Sequence, residues 1–152
     1  MTPRKPPSHM LAALAEAEAA GARGEVPVGA AIVGADGSVL ARAGNRTREL
    51  ADPTAHAEML AIRDACRVLG SERLAGADLY VTLEPCPMCA AATSLARLRR
   101  LYYGAADPKG GGVEHGPRIF SQPTCHHAPQ VYGGIEEQRA GALLKAFFAG
   151  RR

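Results

Sequence analysis

The segment Pro27-Val28-Gly29-Ala30-Ala31-Ile32-Val33-Gly34-Ala35-Asp36-Gly37-Ser38-Val39-Leu40-Ala41-Arg42-Ala43-Gly44-Asn45 decides the fold. Its first part, Pro27 to Val33, is a short apolar run of the kind a buried strand makes. Asp36-Gly37 supplies a hairpin turn, and Val39 to Asn45 returns as a second strand. Strands joined by so tight a turn must be antiparallel. Upstream, His9 to Ala20 is rich in Ala, Leu and Glu and predicts a helix, with Ser8 as N-cap and Gly21 as stop. Downstream, a second helix is expected from near Asp52-Pro53-Thr54 to Gly70. Its inward face reads as Ala55, Met59, Ile62, Cys66 and Leu69, which recur at a helical period. Leu79 to Leu83 follows as a strand, Cys86 to Leu95 as a helix and Leu98 to Gly104 as a strand. Asp107 to Gln130 reads as loop, Val131 to Ile135 as an edge strand and Glu136 to Ala149 as a closing helix. Strands alternating with helices around an antiparallel hairpin imply a three-layer α/β/α domain on a mixed five-stranded sheet.

The 152 residues suit a single domain, placed at residues 9–152 behind a flexible N-terminal arm, residues 1–8, that holds Pro3, Pro6 and Pro7. Hydrophobic residues make up 47% and charged ones 22%, an ordinary globular balance. A net charge of +3 is short of the polycation that grips long duplexes. Aromatic side chains are limited to four Tyr and three Phe, too few for a broad base-stacking platform. The longest apolar stretch, Val26 to Ala35, is half the roughly 20 residues a membrane helix needs. Four cysteines with no signal-peptide pattern ahead of them predict a reducing, cytoplasmic setting and metal or catalytic use rather than disulfides.

Two fragments carry the chemistry: His56-Ala57-Glu58 and Pro85-Cys86-Pro87-Met88-Cys89. Cys86 and Cys89 are spaced to put both sulfurs on one side of a helix start, where the positive helix end favours thiolate. His56 falls at the start of the preceding helix. If the two helices begin side by side, His56 completes a Cys₂His set, and three protein ligands leave a fourth tetrahedral position for water. Glu58 adds the enzyme. Positions i and i+2 diverge by roughly 200° on a regular helix, so His56 and Glu58 share a site only at the helix entry. There a carboxylate can take a proton from a metal-bound water and pass it to a substrate nitrogen.

H-x-E followed by P-C-x-x-C is the general signature of the zinc nucleobase deaminases, and the chain resembles the zinc-dependent cytidine/nucleoside deaminase superfamily. Further segments narrow the resemblance to the bacterial tRNA adenosine deaminases. They are Glu25-Val26-Pro27-Val28-Gly29-Ala30, Asn45-Arg46, Asp52 to Glu58, Leu79 to Cys86, and Gly104-Ala105-x-Asp107-Pro108-Lys109-Gly110-Gly111. The likeness covers nearly all of the chain from His9 onward. It implies a cytidine-deaminase-like fold and a homodimer. It also implies hydrolytic conversion of the wobble adenosine (position 34) of an arginine tRNA, bound through its anticodon stem-loop, to inosine. The cofactor it implies is one zinc per subunit, held by His56, Cys86 and Cys89, with Glu58 moving protons between water, ring N1 and the leaving amine. By the same resemblance Asn45 hydrogen-bonds the purine, Val26, Pro27 and Val28 wall its pocket, and Asp107 and Lys109 meet neighbouring nucleotides.

Other readings compete. Free nucleobase deaminases, guanine deaminase above all, share His-Ala-Glu and Pro-Cys-Pro-Met-Cys but lack the Asp107 to Gly111 continuation. A structural zinc knot completed by Cys125, His126 or His127 leaves Glu58 without a use, and a catalytically silent RNA-binding module would still need the metal. Adjacent Cys125, His126 and His127 lack the spacing that lets ligands converge on a second zinc. Gly110-Gly111-Gly112 lacks the flanking pattern of a nucleotide-triphosphate loop, so no nucleotide cofactor is expected. Cys66 reads as a core thiol, Phe147 and Phe148 as core residues of the last helix, and Arg97, Arg99 and Arg100 as a solvated strand entry.

Overall fold

The Asp36-Gly37 turn closes as its residues dictate. In the computed structural model, which describes residues 8–151, Asp36 Oδ1 accepts the Ser38 N–H at 2.9 Å and Gly37 adopts φ +87°. The turn joins β1 (Gly29–Val33) to β2 (Val39–Gly44), antiparallel, with Gly29 opposite Gly44. The other elements are α1 (Ser8–Ala22), α2 (Ala57–Leu69), β3 (Asp78–Leu83), α3 (Pro87–Leu95), β4 (Arg100–Ala105), β5 (Gln130–Tyr132) and α4 (Glu137–Ala149). A single 3₁₀ turn, Ile119–Ser121, interrupts the long loop before β5. The strands form one five-stranded sheet in the order β2-β1-β3-β4-β5. Strand β1 is antiparallel to both neighbours, and β3, β4 and β5 are parallel.

Successive strand residues face opposite layers. Ile32, Leu79, Val81 and Leu101 pack against Ala57, Ala61 and Ala65 of α2 and Ala90 of α3. On the other face Val33 and Tyr80 meet Met10, Ala13 and Leu14 of α1 and Ala140 of α4. The paired glycines explain how α1 settles so close. A Cβ on Gly29 would collide with the Ala13 carbonyl oxygen and lie 2.5 Å from the Ala17 nitrogen. One on Gly44 would lie 2.6 Å from the Glu16 oxygen. Helix backbone rests directly on sheet backbone there. Among the described residues no helix is long and apolar enough to cross a membrane.

Several expectations need correction. Helix α1 runs through Gly21 to Ala22, because the turn that stops it is supplied by Gly24 at φ +88° and Gly21 lies close against the Pro27 ring. The expected arm at residues 1–8 lies outside the described residues apart from Ser8, where α1 begins. Asp52-Pro53-Thr54 does not open α2: Asp52 Oδ1 accepts the Thr54 N–H at 2.8 Å and its hydroxyl at 2.7 Å in a turn of its own. The inward face of α2 is Ala57, Glu58, Ala61, Ile62 and Ala65. Met59 and Cys66 flank it half-buried, and Leu69 is exposed. Close approach to the sheet selects alanines, whereas an apolar period read from sequence is drawn to the bulkier side chains. Strand β4 starts at Arg100, after a turn in which Arg97 takes φ +60°. Strand β5 stops at Tyr132, where Gly133 lies against the Tyr103 ring. Phe147 is half-buried beneath the Arg151 guanidinium, and Phe148 is exposed rather than core.

The register fixes where a site can form. Ala30 pairs with Val81, and Leu83 with Ala105. The start of β1 and the ends of β2, β3 and β4 therefore share one sheet edge. Loops 25–28, 45–56, 84–86 and 106–118 converge there, at the carboxyl ends of the parallel strands where α/β sheets place their ligands.

Candidate active site

Two helix entries meet at that edge. His56 is the N-cap of α2 and Cys86 the N-cap of α3, and neither N-cap side chain bonds the backbone of its own helix. Their positive ends favour negative charge, here thiolate. Cys89 lies one turn into α3 and is fully buried. His56 Nδ1 is 3.6 Å from Cys86 Sγ and 3.4 Å from Cys89 Sγ. All three ligand atoms lie within 4.8 Å of one another. Tetrahedral bonds of about 2.0 Å to nitrogen and 2.3 Å to sulfur separate N from S by about 3.5 Å, so the residues present fit a zinc ion. Three ligands leave one position open, the catalytic rather than the structural pattern.

Glu58 is the second residue of α2 and only 4% exposed. Burial pushes its carboxyl up to about 7, with the Cys86 charge adding to the effect. The Cys89 contact and His56 hold the Cys86 thiol down at about 4, and Cys86 together with burial pushes the Cys89 thiol up. A divalent cation on the three ligands would ionise both sulfurs and draw Glu58 downward. The bond to Cys86 raises the His56 pKa.

Asn45 stands at the end of β2, buried. Its Oδ1 accepts the Ala57 N–H at 2.8 Å, satisfying the first turn of α2, so the amide NH₂ is the end left for a ligand. Its backbone N–H donates to the Val28 carbonyl at 3.1 Å, tying the segment Val26-Pro27-Val28 to the same corner. Val28 is in the core against α2, Val26 is half-buried, and Pro27 is buried against Gly21 of α1. Asp107 and Lys109 occupy the loop after β4. Asp107 Oδ1 accepts the Gly110 N–H at 2.9 Å, so the carboxylate braces its own turn, while Lys109 is exposed at the tip.

Two buried carboxylates escaped the sequence reading. Glu25 accepts the Glu49 N–H at 2.8 Å and the Arg48 N–H at 3.1 Å, bracing the segment that follows Asn45. Burial raises its pKa, but these bonds, the Thr47 hydroxyl and Arg23 outweigh burial and leave it lowered. Glu84, whose side chain is fully enclosed, accepts backbone N–H groups from Asp107 at 3.0 Å, Glu114 at 2.9 Å and His115 at 3.1 Å. The same balance leaves it lowered: burial raises it, and the Asp107 amide, His115, Glu114 and Val113 lower it further. The available signal was a charged residue closing the apolar run Leu79 to Leu83, which must find partners when buried.

The remaining candidates stay apart from the metal cluster. Arg99 forms a bidentate pair with Asp78 at 3.1 and 2.8 Å, and Arg100 bonds Gln130. Ser94 of α3 donates to the His127 carbonyl at 2.6 Å, and His127 Nε2 bonds the Leu98 carbonyl at 2.7 Å. The segment Cys125-His126-His127 is thus fastened to the far end of α3. Among the described residues His56, Cys86 and Cys89 are the one His/Cys/Asp/Glu group placed to hold a metal.

The ligand set, its open position and the buried acid define a zinc deaminase site, and residues 3–105 match the family model of the cytidine and deoxycytidylate deaminase zinc-binding region. The chain belongs to that family. Within it, the chain is 66% identical over 143 residues to the tRNA-specific adenosine deaminase of Agrobacterium fabrum, covering 94% of this chain and 93% of that one. A solved structure from biochemical and structural studies of A-to-I editing by tRNA:A34 deaminases at the wobble position is 67% identical, with a TM-score of 0.88 over 90% of this chain and 98% of its own. Guanine deaminase of Bacillus subtilis is more distant, at 32% identity and a TM-score of 0.64 over 95% of this chain and 92% of its own.

Proposed function

We propose that the protein hydrolyses adenosine at the wobble position (34) of a tRNA, an arginine tRNA in particular, to inosine and ammonia. The observation that carries this is the enclosed Glu58 carboxyl beside three convergent ligand atoms, in a chain 66% identical to a tRNA-specific adenosine deaminase. His56, Cys86 and Cys89 hold one zinc per chain. What bound zinc supplies is Lewis acidity, lowering the pKa of water from 15.7 toward about 7. Glu58 takes one proton from the water that attacks C6 and delivers it to N1. It then takes the remaining proton from the new C6 hydroxyl and passes it to the departing amine, leaving the C6 carbonyl of inosine.

Asn45 donates its amide NH₂ to an acceptor on the purine, an orientation enforced by the Ala57 bond to its oxygen. Val26 and Val28 wall the pocket, with Pro27 setting the turn between them from its seat on α1. Lys109 reaches phosphates of the anticodon stem-loop from the loop tip, and Asp107 shapes that loop for neighbouring nucleotides. Arg151 stands beyond α4 for a further phosphate. The enzyme works in the cytoplasm, consistent with four free cysteines, and as a homodimer. Leu95, 75% exposed on α3 beside a cleft lined by Ala91, Ile119 and Cys125, supports self-association. Ammonia release from arginine tRNA transcripts and from free guanine, cytosine and adenine tests the assignment. Release from tRNA alone is expected, and release from guanine alone would transfer the protein to the free-base deaminases.

A further inference from the structure

Five donors converge on the one carboxylate of Glu84, and all belong to a single loop. Oε1 accepts the Asp107 N–H at 3.0 Å and faces His115 Nδ1 at 2.7 Å. Oε2 accepts the N–H groups of Val113 at 3.2 Å, Glu114 at 2.9 Å and His115 at 3.1 Å. A buried charge normally pairs with a charge, but this one is neutralised mostly by backbone amides, which only a loop wrapped closely around it can supply. The glycines make the wrap possible. A Cβ on Gly111 would lie 2.5 Å from Glu84 Oε2 and 2.6 Å from the Asp107 carbonyl oxygen. One on Gly112 would lie 2.6 Å from Pro87 Cα. Gly112 also donates to the Pro85 carbonyl at 2.8 Å, so the loop lies directly on the turn that carries Cys86. The far end is fastened as well, by the Tyr103 hydroxyl donating to Glu114.

We propose that Glu84 is a positioning residue for substrate: its carboxylate gathers residues 107–115 into a fixed rim over the α3 entry and so presents Asp107 and Lys109 to the RNA. Glu84 makes its hydrogen bonds to this loop and none to the donor atoms of His56, Cys86 or Cys89. Gly110-Gly111-Gly112, which matches no phosphate-cradle pattern, finds its use here as the part of the rim thin enough to fit against Glu84 and Pro87. This role rests on the tRNA deaminase activity proposed above.

The test uses the full chain with zinc and two variants. Glu84→Gln sets an NH₂ against N–H donors, and Gly111→Ala leaves Glu84 intact while its methyl group pushes the rim away. Three quantities are read: zinc content, hydrogen exchange at the amides of Asp107, Val113, Glu114 and His115, and KM and kcat for tRNA. Both variants are expected to keep wild-type zinc content, to exchange those amides at least about tenfold faster, and to raise KM by about tenfold with a smaller fall in kcat. Unchanged exchange and KM in Gly111→Ala would overturn the proposal even if Glu84→Gln fails to fold. Loss of zinc in a folded Glu84→Gln would also overturn it, by making Glu84 a support of the metal instead. If the wild-type protein leaves tRNA untouched, the proposed activity fails by itself, and the exchange measurement still decides whether Glu84 orders the rim.

Discussion

Glu58→Gln should damage the enzyme and strengthen the metal-free protein. The buried carboxyl has its pKa raised from 4.5 to about 7. The folded state therefore holds this proton more tightly than the unfolded chain, and the associated stability is fully present below about pH 4.5 and lost as pH rises through about 7. At pH 8 the wild-type apoprotein must ionise a carboxyl inside the fold, at a cost of about 3 kcal/mol. Gln occupies the same volume and never ionises. Denaturant unfolding of zinc-stripped proteins should thus show Glu58→Gln more stable than wild type by up to about 3 kcal/mol at pH 8 and equal to it near pH 4. The same substitution removes the acid/base group, so turnover should fall about 10²–10⁴-fold, a barrier increase of roughly 3 to 5 kcal/mol, with zinc content intact. A destabilised apoprotein at pH 8, or near-normal turnover, would refute the assignment of an enclosed, proton-shuttling Glu58.

Cys125→Ser should leave zinc at one equivalent per chain by metal analysis, because Cys125 bonds Ser94 and the His127 carbonyl away from the ligand cluster; two equivalents in the wild type would contradict this. Gly29→Ala should cost about 3 kcal/mol or more in denaturant unfolding, since its Cβ meets helix backbone that cannot rotate aside. Binding of an anticodon stem-loop should weaken with salt along a slope of about 2 to 4 in log K against log salt, set by a few phosphate contacts at roughly 0.7 each. A slope near 10 would mean that recognition extends far beyond the loop.

The sequence made the metal cluster legible for a local reason. A ligand and an acid two residues apart can act together only at a helix entry, and His56 and Cys86 are both N-caps. The hairpin and the mixed sheet were equally local, written in Asp36-Gly37 and in the alternation that follows. What was illegible depended on distant partners. Nothing near Glu84 or Glu25 in sequence shows that each is satisfied by amides more than 20 residues away. The burying face of α2 was misread because tight helix–sheet contact prefers Ala61 and Ala65 to Cys66 and Leu69. That one oxygen of Asp107 accepts the Gly110 N–H and braces its own turn is likewise revealed by the loop's conformation alone.

Position-resolved analysis of one RNA tests the central claim most directly. An arginine tRNA anticodon stem-loop incubated with the zinc-loaded protein is digested, and each nucleoside is assigned by mass. Inosine at the wobble position and at no other adenosine, abolished in Glu58→Ala, is the predicted result. An unmodified wobble adenosine, with guanine converted to xanthine in a parallel reaction, would contradict it.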